Sequence, residues 1–208
     1  MAAPDVHREI ERKLEVPDGF VVPDLAAAGV VNAMTPRSTL SLVAIYFDTT
    51  DLRLARQRIT LRCRTGGDDD GWHLKLPPPD SDNDDARDEV QLPLDVSDTP
   101  PTALVDRVRH ILDDQPLVVV ATIRNERARF DLIDHDGSAL AELTDDHVDA
   151  TRADGTEVSF RELEVEAAPS RTSADLDAVV AALLDAGATP SSFASKAVRA
   201  LGAMAAPS

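Results

Sequence analysis

HREIERKLEV, residues 7–16 of the 208-residue chain, alternates between two kinds of position in a pattern that later segments repeat. Successive side chains of a β-strand point to opposite faces, so the odd positions from His7 to Glu15 share one face. Every residue on that face is ionisable, whereas the even face includes Ile10 and Leu14. Strands with one buried face usually turn a mixed polar face toward water. The stretch therefore predicts a strand with a charged face, which for a single strand would simply lie in solvent.

The recurrence of the charged face changes its interpretation. In RITLRCRT, residues 58–65, Arg62 and Arg64 alternate with Leu61 and Cys63, so basic and apolar side chains again separate onto two faces. With these arginines, the charged positions on the predicted strands are Glu9, Glu11, Lys13, Lys75, Arg87, Glu142, Glu162, Glu164 and Glu166. A barrel of about eight strands has an interior just wide enough for side chains or one small ligand. We therefore expect these charged faces to line one interior.

The order of the segments predicts fold class α+β, with a closed eight-stranded antiparallel β-barrel, or tunnel, and flanking helices. We expect the strands in up-and-down order and one domain over residues 1–208, which could be the N-terminal part of a longer chain. The expected strands lie at residues 7–16, 39–47, 58–65, 72–76, 87–92, 117–125, 127–133, 138–148 and 157–167. The expected helices lie at residues 51–57, 102–113, 174–186 and 191–204, with Thr102 capping the second.

Composition limits the class of protein. The chain has no apolar stretch long enough for a membrane span and no export signal at its N-terminus, so we expect a cytoplasmic protein. Its single cysteine, Cys63, excludes an internal disulfide bond and a multi-cysteine zinc site. The formal net charge of −17 argues against a general nucleic-acid binder. The aspartate runs at residues 68–70 and 80–88 are interpreted as solvated loops without chemistry.

Acidic and basic groups that share one cavity indicate a specific chemistry. Lysines and arginines can neutralise an anion with several oxygens through charge-assisted hydrogen bonds. Carboxylates in the same cavity would repel that anion unless a hard divalent cation joined them, because Mg²⁺ and Mn²⁺ bind carboxylate and phosphate oxygens together. The mixed lining therefore predicts metal-assisted chemistry on a polyphosphate.

Several motifs carry a resemblance to a known family. Residues 9–13, EIERK, have the form Glu-x-Glu-x-Lys at an N-terminal strand. Later motifs are Tyr46-Phe47-Asp48-Thr49, Leu61-Arg62-Cys63-Arg64, His73-Leu74-Lys75-Leu76-Pro77, Arg87-Asp88-Glu89, Leu140-Ala141-Glu142, Asp145-Asp146, Glu162-Leu163-Glu164-Val165-Glu166 and Ser195-Lys196. In this order and spacing the set resembles the CYTH superfamily, the triphosphate tunnel metalloenzymes. The resemblance implies an eight-stranded tunnel that binds a triphosphate end-on with one or two divalent metals, Mg²⁺ or Mn²⁺.

The resemblance also implies roles for individual residues. The implied metal ligands are Glu9, Glu11, Glu162, Glu164 and Asp146, with Asp145 and Glu166 as alternatives to their neighbours. The implied phosphate-binding residues are Lys13, Arg62, Arg64, Lys75, Arg87, Arg124, Arg127 and Lys196. Lys13, Lys75 and Glu142 form the expected catalytic set, in which Glu142 orients water or binds a second metal. The strand register around Asn125 is ambiguous, so only one of Arg124 and Arg127 need face inward.

The expected activity is hydrolysis of the terminal phosphoanhydride of a triphosphate. Only 3% of the residues are aromatic, which leaves few platforms for stacking a base or a thiazole and favours inorganic triphosphate over thiamine triphosphate or a nucleoside triphosphate. Two alternatives stay open: an adenylyl cyclase that uses the same tunnel, and a non-catalytic polyphosphate- or nucleotide-binding module. The resemblance also allows fusion to a helical polyphosphate-binding domain. No nucleic-acid or membrane partner is expected.

Overall fold

The computed structural model describes residues 5–78, 85–94 and 98–202. The strands are β1 (Asp5–Val16), β2 (Ala33–Pro36), β3 (Leu40–Asp48), β4 (Thr60–Thr65), β5 (Gly71–Leu76), β6 (Ala86–Pro93), β7 (Val118–Ile133), β8 (Ala139–Arg152), β9 (Glu157–Ala167) and β10 (Thr189–Pro190). The helices are α1 (Arg53–Arg56), α2 (Thr102–Leu112), α3 (Asp177–Asp185) and α4 (Lys196–Leu201), and a 3₁₀ turn covers Ser173–Leu176.

Strand β1 closes the barrel. Its first half pairs with β6, where Glu9 lies opposite Arg87, and its second half pairs with β9, where Glu11 lies opposite Glu166. The closed antiparallel order is β1-β6-β5-β4-β3-β7-β8-β9 and back to β1, while β2 and β10 are short additions to β7 and β1. The predicted eight-stranded closed barrel is confirmed. The predicted up-and-down order is wrong, because β1 lies between β6 and β9 and β7 pairs with β3.

Other differences concern the ends of elements. The two strands expected at residues 117–125 and 127–133 form one strand, β7, because Asn125 and its neighbours pair continuously with β8. Thr102 is the first residue of α2 and makes no capping hydrogen bond. Helix α4 is shorter than expected and begins at Lys196, where the Ser195 hydroxyl accepts a hydrogen bond from the N–H of Val198 at 3.2 Å. Of the residues in predicted segments, 80–84 and 203–204 lie outside the described part of the chain.

Most of the apolar core lies outside the barrel wall, because most of the inner face is charged. On one side, Leu163 and Val165 of β9 pack in a cluster with Val179 and Leu183 of α3. On the other side, residues of β4, β5 and β6 pack against the apolar face of α2. A third cluster joins the inner ends of β7 and β8 to α4 and closes one end of the barrel with apolar residues. Burial of apolar area on three sides therefore holds a polar interior in place.

Asp48 fixes the turn that leads from β3 into α1. Its buried carboxylate accepts hydrogen bonds from the backbone N–H groups of Thr49 at 2.7 Å and of Leu54 and Ala55, both at 2.9 Å. Leu52 reaches this turn with a positive φ of 59°, a conformation that L-residues adopt rarely. The carboxylate thus satisfies backbone donors that would otherwise be buried without partners.

Among the described residues, no helix has the length and apolarity needed to cross a bilayer.

Gly66, at the end of β4, provides a test of the packing between neighbouring strands. Its φ is +95°, and an added Cβ would overlap the backbone carbonyl oxygen of Ser41 in β3. Gly66→Ala should therefore lower the free energy of unfolding by about 2 kcal/mol or more, measured by urea denaturation.

The matched control is Gly137→Ala. Gly137 also has a positive φ, +84°, but an added Cβ there meets nothing within 4 Å. Gly137→Ala should therefore lower the free energy of unfolding by about 1 kcal/mol, which is the conformational penalty alone. Equal losses in the two variants would contradict the assigned contact between Gly66 and β3.

Candidate active site

The barrel encloses a charged cavity of about 380 Å³. Among the described residues, its basic lining is Lys13, Arg37, Arg58, Arg62, Arg64, Lys75, Arg87, Arg127, Arg129 and Lys196. Its acidic lining is Glu9, Glu11, Asp68, Asp69, Glu89, Glu142, Glu164 and Glu166. The ten basic side chains outnumber the eight acidic ones in this lining, although the whole chain has a formal net charge of −17. Basic residues are therefore concentrated inside the barrel.

Strand β1 contributes two buried carboxylates and a lysine to the cavity. Glu9 contacts the ammonium group of Lys75 on β5, and Glu11 pairs with Lys13 at 2.6 Å. Burial raises the pKa of Glu9 despite the opposing charge of Lys75. Burial also acts against ionisation of Glu11, but the charges of Lys13 and Lys75 outweigh it and lower the pKa. Alternation along β1 therefore places acid and base on one inner face, as its sequence predicts.

A cluster of three carboxylates, Asp146, Glu162 and Glu164, lies between β8, β9 and α4. One oxygen of each lies within 4.8 Å of the others. Lys196 of α4 points its Nζ into this cluster, at 2.9 Å from Asp146 and 2.8 Å from both glutamates. Arg127 of β7 pairs with Asp146 at 2.7 Å and with Glu164 at 2.8 Å. Helix α4 therefore plugs the barrel end and also brings a cation to the acidic cluster.

Glu164 connects the two acidic groups of the cavity. Its Oε1 accepts a hydrogen bond from Nζ of Lys13 at 2.7 Å, so Lys13 bridges Glu11 and Glu164. Burial disfavours the charged carboxylate, but Lys13, Lys196 and Arg127 together hold the pKa of Glu164 well below its usual range. At Glu162, burial has the larger effect and raises the pKa, although Lys196 opposes it.

Arg62 and Arg64 of β4 form the opposite, basic part of the lining. Arg62 donates from Nη1 to the hydroxyl of Tyr46 at 3.2 Å. The Nε atoms of both arginines are buried and have no hydrogen-bond partner within the described part of the chain. Burial and the neighbouring charges of Arg62 and Arg127 lower the pKa of Arg64, which shows that the guanidinium groups are crowded. Buried donors without acceptors are rare, and both guanidinium groups belong to residues that line the cavity, where an anion would offset their charge.

The structure brings most of the predicted residues together in this cavity. The predicted set that lines it comprises Glu9, Glu11, Lys13, Arg62, Arg64, Lys75, Arg87, Arg127, Glu142, Glu164 and Lys196. Asp146 and Glu162 lie directly behind this lining, paired with Lys196. Glu142 lines the cavity and pairs with Arg37 at 2.8 Å.

The prediction that Arg124 binds phosphate in the cavity is wrong. Arg124 is exposed, lies opposite Val43 and Asp149 in the sheet, and faces outward, whereas Arg127 faces inward. The two positions differ by an odd number of residues, so a continuous strand must direct them to opposite faces. Asp145 likewise lies on the outer face, where it pairs with Arg161 at 2.7 Å, so Asp146 is the inward member of its pair.

The cavity lining also includes residues that the sequence motifs do not predict to bind metal or phosphate. Glu89 of β6 is buried at 4% exposure and contacts His7 at 3.3 Å and His73 at 3.0 Å. Arg129 of β7 lines the cavity two residues beyond Arg127. Both positions follow from the alternation that already placed Arg87 and Arg127 inward. Asp68 and Asp69 lie at the cavity as well, although their sequence indicates only a solvated loop.

The acidic cluster fits a hard divalent cation in its donor chemistry. Its three carboxylates offer oxygen ligands, which Mg²⁺ and Mn²⁺ prefer. A second group of metal-ligand type joins His7, Glu9 and Glu89. The predicted metal ligands are thus divided: Asp146, Glu162 and Glu164 are one cluster, and Glu9 and Glu11 lie on β1, connected to it through Lys13.

Comparison with known proteins assigns this arrangement to a family. Residues 7–198 match the family pattern described as the CYTH domain. The chain belongs to the CYTH family. Two Mycobacterium tuberculosis proteins, both named as uncharacterized, MT2285 of strain CDC 1551 / Oshkosh and Rv2226 of strain H37Rv, are each 40% identical to this CYTH domain over 215 residues. The match covers 96% of this chain and 41% of each relative, so the chain spans about two fifths of their length.

Solved structures share the CYTH fold. A Bacillus halodurans protein named as a candidate adenylate cyclase has a TM-score of 0.61 at 21% identity, and the match covers 93% of this chain and 97% of that chain. HpAC1 from Hippeastrum, a candidate adenylyl cyclase described as having a dominant triphosphatase activity, has a TM-score of 0.53 at 18% identity. That match covers 91% of this chain and 94% of HpAC1. At these identities the likeness establishes the fold alone.

Lys196→Met tests the charge balance of the acidic cluster. Removal of the ammonium group leaves three carboxylates with less compensation, so the free energy of unfolding at pH 7 in a chelator should fall by about 3 kcal/mol. Arg109→Met is the control, because Arg109 is exposed and pairs with Asp106 at the surface of α2, so its loss should lower the stability far less. Equal small losses would show that Lys196 does not stabilise the cluster.

Glu166→Gln tests the electrostatics of the inner face through pH. Glu166 lines the cavity with its side chain partly open to solvent. Partial desolvation there, reinforced by the charges of Glu9 and Glu11, raises the pKa of Glu166 to about 7, above the value of about 4.3 for an unfolded chain. The native protein therefore binds this proton more tightly, and the resulting stabilisation, full below about pH 4.3, is lost as the pH rises through about 7. Glu166→Gln should raise the thermal midpoint at pH 8 but not at pH 4.

The control for this measurement is Glu157→Gln. Glu157 is exposed at the start of the same strand, β9, so its loss removes the same charge without entering the cavity. Both variants are compared in a chelator. A stabilisation of Glu166→Gln that is independent of pH, or shared with Glu157→Gln, would contradict the assigned repulsion.

Proposed function

We propose that this CYTH domain hydrolyses a triphosphate in a reaction that depends on a divalent metal, with inorganic triphosphate as the preferred substrate. The observation that carries the proposal is the sorting of charge in one enclosed cavity. Arg62 and Arg64 bring buried positive charge to one part of the lining, and carboxylates of β1, β8 and β9 lie on another. A polyanion together with a cation satisfies both parts at once.

The basic residues would bind and orient the phosphate chain. Arg62 and Arg64 can each donate two hydrogen bonds to phosphate oxygens, and Lys75 and Arg87 add charge from the neighbouring strands β5 and β6. Lys13, at the junction of the two acidic groups, is placed to hold the phosphate nearest the carboxylates. These groups stabilise the negative charge that develops as the phosphoanhydride bond breaks, which is the main task in phosphoryl transfer.

The acidic residues would hold the metal and order water. Asp146, Glu162 and Glu164, with Glu9 and Glu11, supply the oxygen ligands for Mg²⁺ or Mn²⁺. A bound divalent ion would supply Lewis-acid polarisation of the phosphate oxygens. Glu142 lines the cavity and is placed to orient an attacking water molecule by accepting its hydrogen bond. Its pairing with Arg37 at 2.8 Å positions the carboxylate.

The preference for inorganic triphosphate rests on the character of the lining. Tyr46 is the one aromatic residue among the described lining residues, and its hydroxyl already accepts a hydrogen bond from Arg62. The remaining lining is dominated by charge, which recognises phosphates rather than an organic group. The proposal includes a cytoplasmic location and, because the curated relatives are longer, fusion to a further domain in the intact protein.

Phosphate release is the direct test. The purified chain with Mg²⁺ or Mn²⁺ should release orthophosphate from inorganic triphosphate, and a chelator should abolish the activity. Arg62→Ala should lower kcat/KM on the order of 100-fold, because it removes charge stabilisation from the reacting phosphates. Arg124→Ala is the matched control, since Arg124 is an exposed arginine on the outer face and its loss should leave kcat/KM unchanged.

The substrate panel should also include thiamine triphosphate and ATP. Formation of cyclic AMP and pyrophosphate from ATP would show that the protein is a cyclase and would contradict the proposed hydrolysis. Tight binding of inorganic triphosphate without turnover in either metal would establish a binding module instead. If Arg62→Ala and Arg124→Ala changed kcat/KM equally, the cavity would not be the site of the reaction.

A further inference from the structure

The loop between β4 and β5, residues 66–70, covers part of the cavity. It carries the sequence GGDDD, and its first two aspartates are lining residues of the cavity. Both aspartates are exposed, as the expectation of a solvated loop requires, but they also line the cavity, which that expectation did not include. The loop is short, so it keeps these residues close to the ends of β4 and β5 that border the cavity. The alternation of side chains along the strands does not predict this position.

Both carboxylates contact arginines of the basic lining. Asp69 pairs with Arg64, and Asp68 pairs with Arg129 at 3.0 Å and lies 3.8 Å from Arg37. The side chain of Arg64 is 10% exposed and that of Arg129 is 9% exposed, so the arginines belong to the interior. The carboxylates, by contrast, are 44% and 70% exposed at Asp69 and Asp68. The loop therefore presents anionic groups from the solvent side to buried cations.

The loop is held in this position at its base. The carbonyl oxygen of Asp69 faces Nε2 of His73 at 2.9 Å and accepts a hydrogen bond from Gln91 at 3.2 Å. Gly66 and Gly71, at its two ends, lie so close to backbone carbonyl groups of β3 and β6 that neither has room for a Cβ. The two carboxylates approach the arginines from the solvent side. They can therefore move away without any core side chain leaving the interior. The contact can thus open without unfolding the barrel.

We propose that Asp68 and Asp69 act as an internal competitor for phosphate groups at the mouth of the cavity. In the absence of ligand they neutralise Arg64 and Arg129, and an entering phosphate chain exchanges with them. An anion must then bind strongly enough to displace two ion pairs, which a polyphosphate with several charged groups does better than a single small anion. The inference rests on the part of the proposed function that assigns phosphate binding to Arg64, extends that role to Arg129 of the same lining, and does not depend on hydrolysis.

The test compares binding by wild type and by Asp68→Asn/Asp69→Asn. Calorimetry with inorganic triphosphate in a chelator separates binding from turnover. The double variant should bind about tenfold more tightly, corresponding to the loss of about 1.4 kcal/mol of competition. Asp113→Asn/Asp114→Asn is the matched control: it removes the same charge from adjacent residues beyond α2, at positions of positive φ that asparagine tolerates. It should leave the affinity unchanged.

Hydrogen exchange gives a second measurement of displacement. In the wild-type protein, inorganic triphosphate should speed amide exchange in residues 66–70, because the loop leaves its arginines when the ligand binds. An unchanged or slower exchange overturns the proposal, as does an affinity of the double variant that equals wild type or the control, or an absence of measurable binding by the double variant. Tighter binding without phosphate release in any metal would sustain this inference while rejecting the proposed hydrolysis.

Discussion

The structure depends on the mutual neutralisation of charges inside a closed barrel. An isolated charge removed from water is strongly unfavourable, so each inward-facing group needs a partner of opposite sign or a polar neighbour. Lys196 and Arg127 meet this need for Asp146 and Glu164, and Lys13 does so for Glu11. Because much of the interior is used for ion pairs, most of the apolar core lies outside the wall, where helices α2 and α3 cover it.

This balance also limits which ligands the cavity can accept. A bare anion near the carboxylates, or a bare cation near Arg62 and Arg64, would disturb a neutralised interior. A phosphate chain that enters with a divalent cation preserves the balance, since each new charge meets its opposite in the lining. The proposed exchange at the β4–β5 loop follows the same rule, because carboxylates leave the arginines as phosphates arrive. The proposed selectivity for a metal polyphosphate would then follow from electrostatic neutrality.

The candidate site could be predicted residue by residue wherever one strand decides the answer. Alternation placed Glu9 with Lys13, and Arg62 with Arg64, on inner faces, and the same rule would have included Glu89 and Arg129. It failed to choose between Arg124 and Arg127 while β7 was divided into two strands with an unknown register. It could not relate Asp68 and Asp69 to the cavity, because a loop has no periodicity that places its side chains on a face.

The sequence by itself determined the faces of the strands and the presence of a charged interior, since these follow from the local period of two residues and from composition. Only the tertiary structure decided which strands are neighbours, that β1 closes the barrel between β6 and β9, and that α4 brings Lys196 to the acidic cluster. The physical reason is that side-chain alternation is fixed by the backbone of each strand. Pairing and closure depend on contacts between residues more than 150 positions apart, such as Lys13 and Glu164, which no local pattern contains.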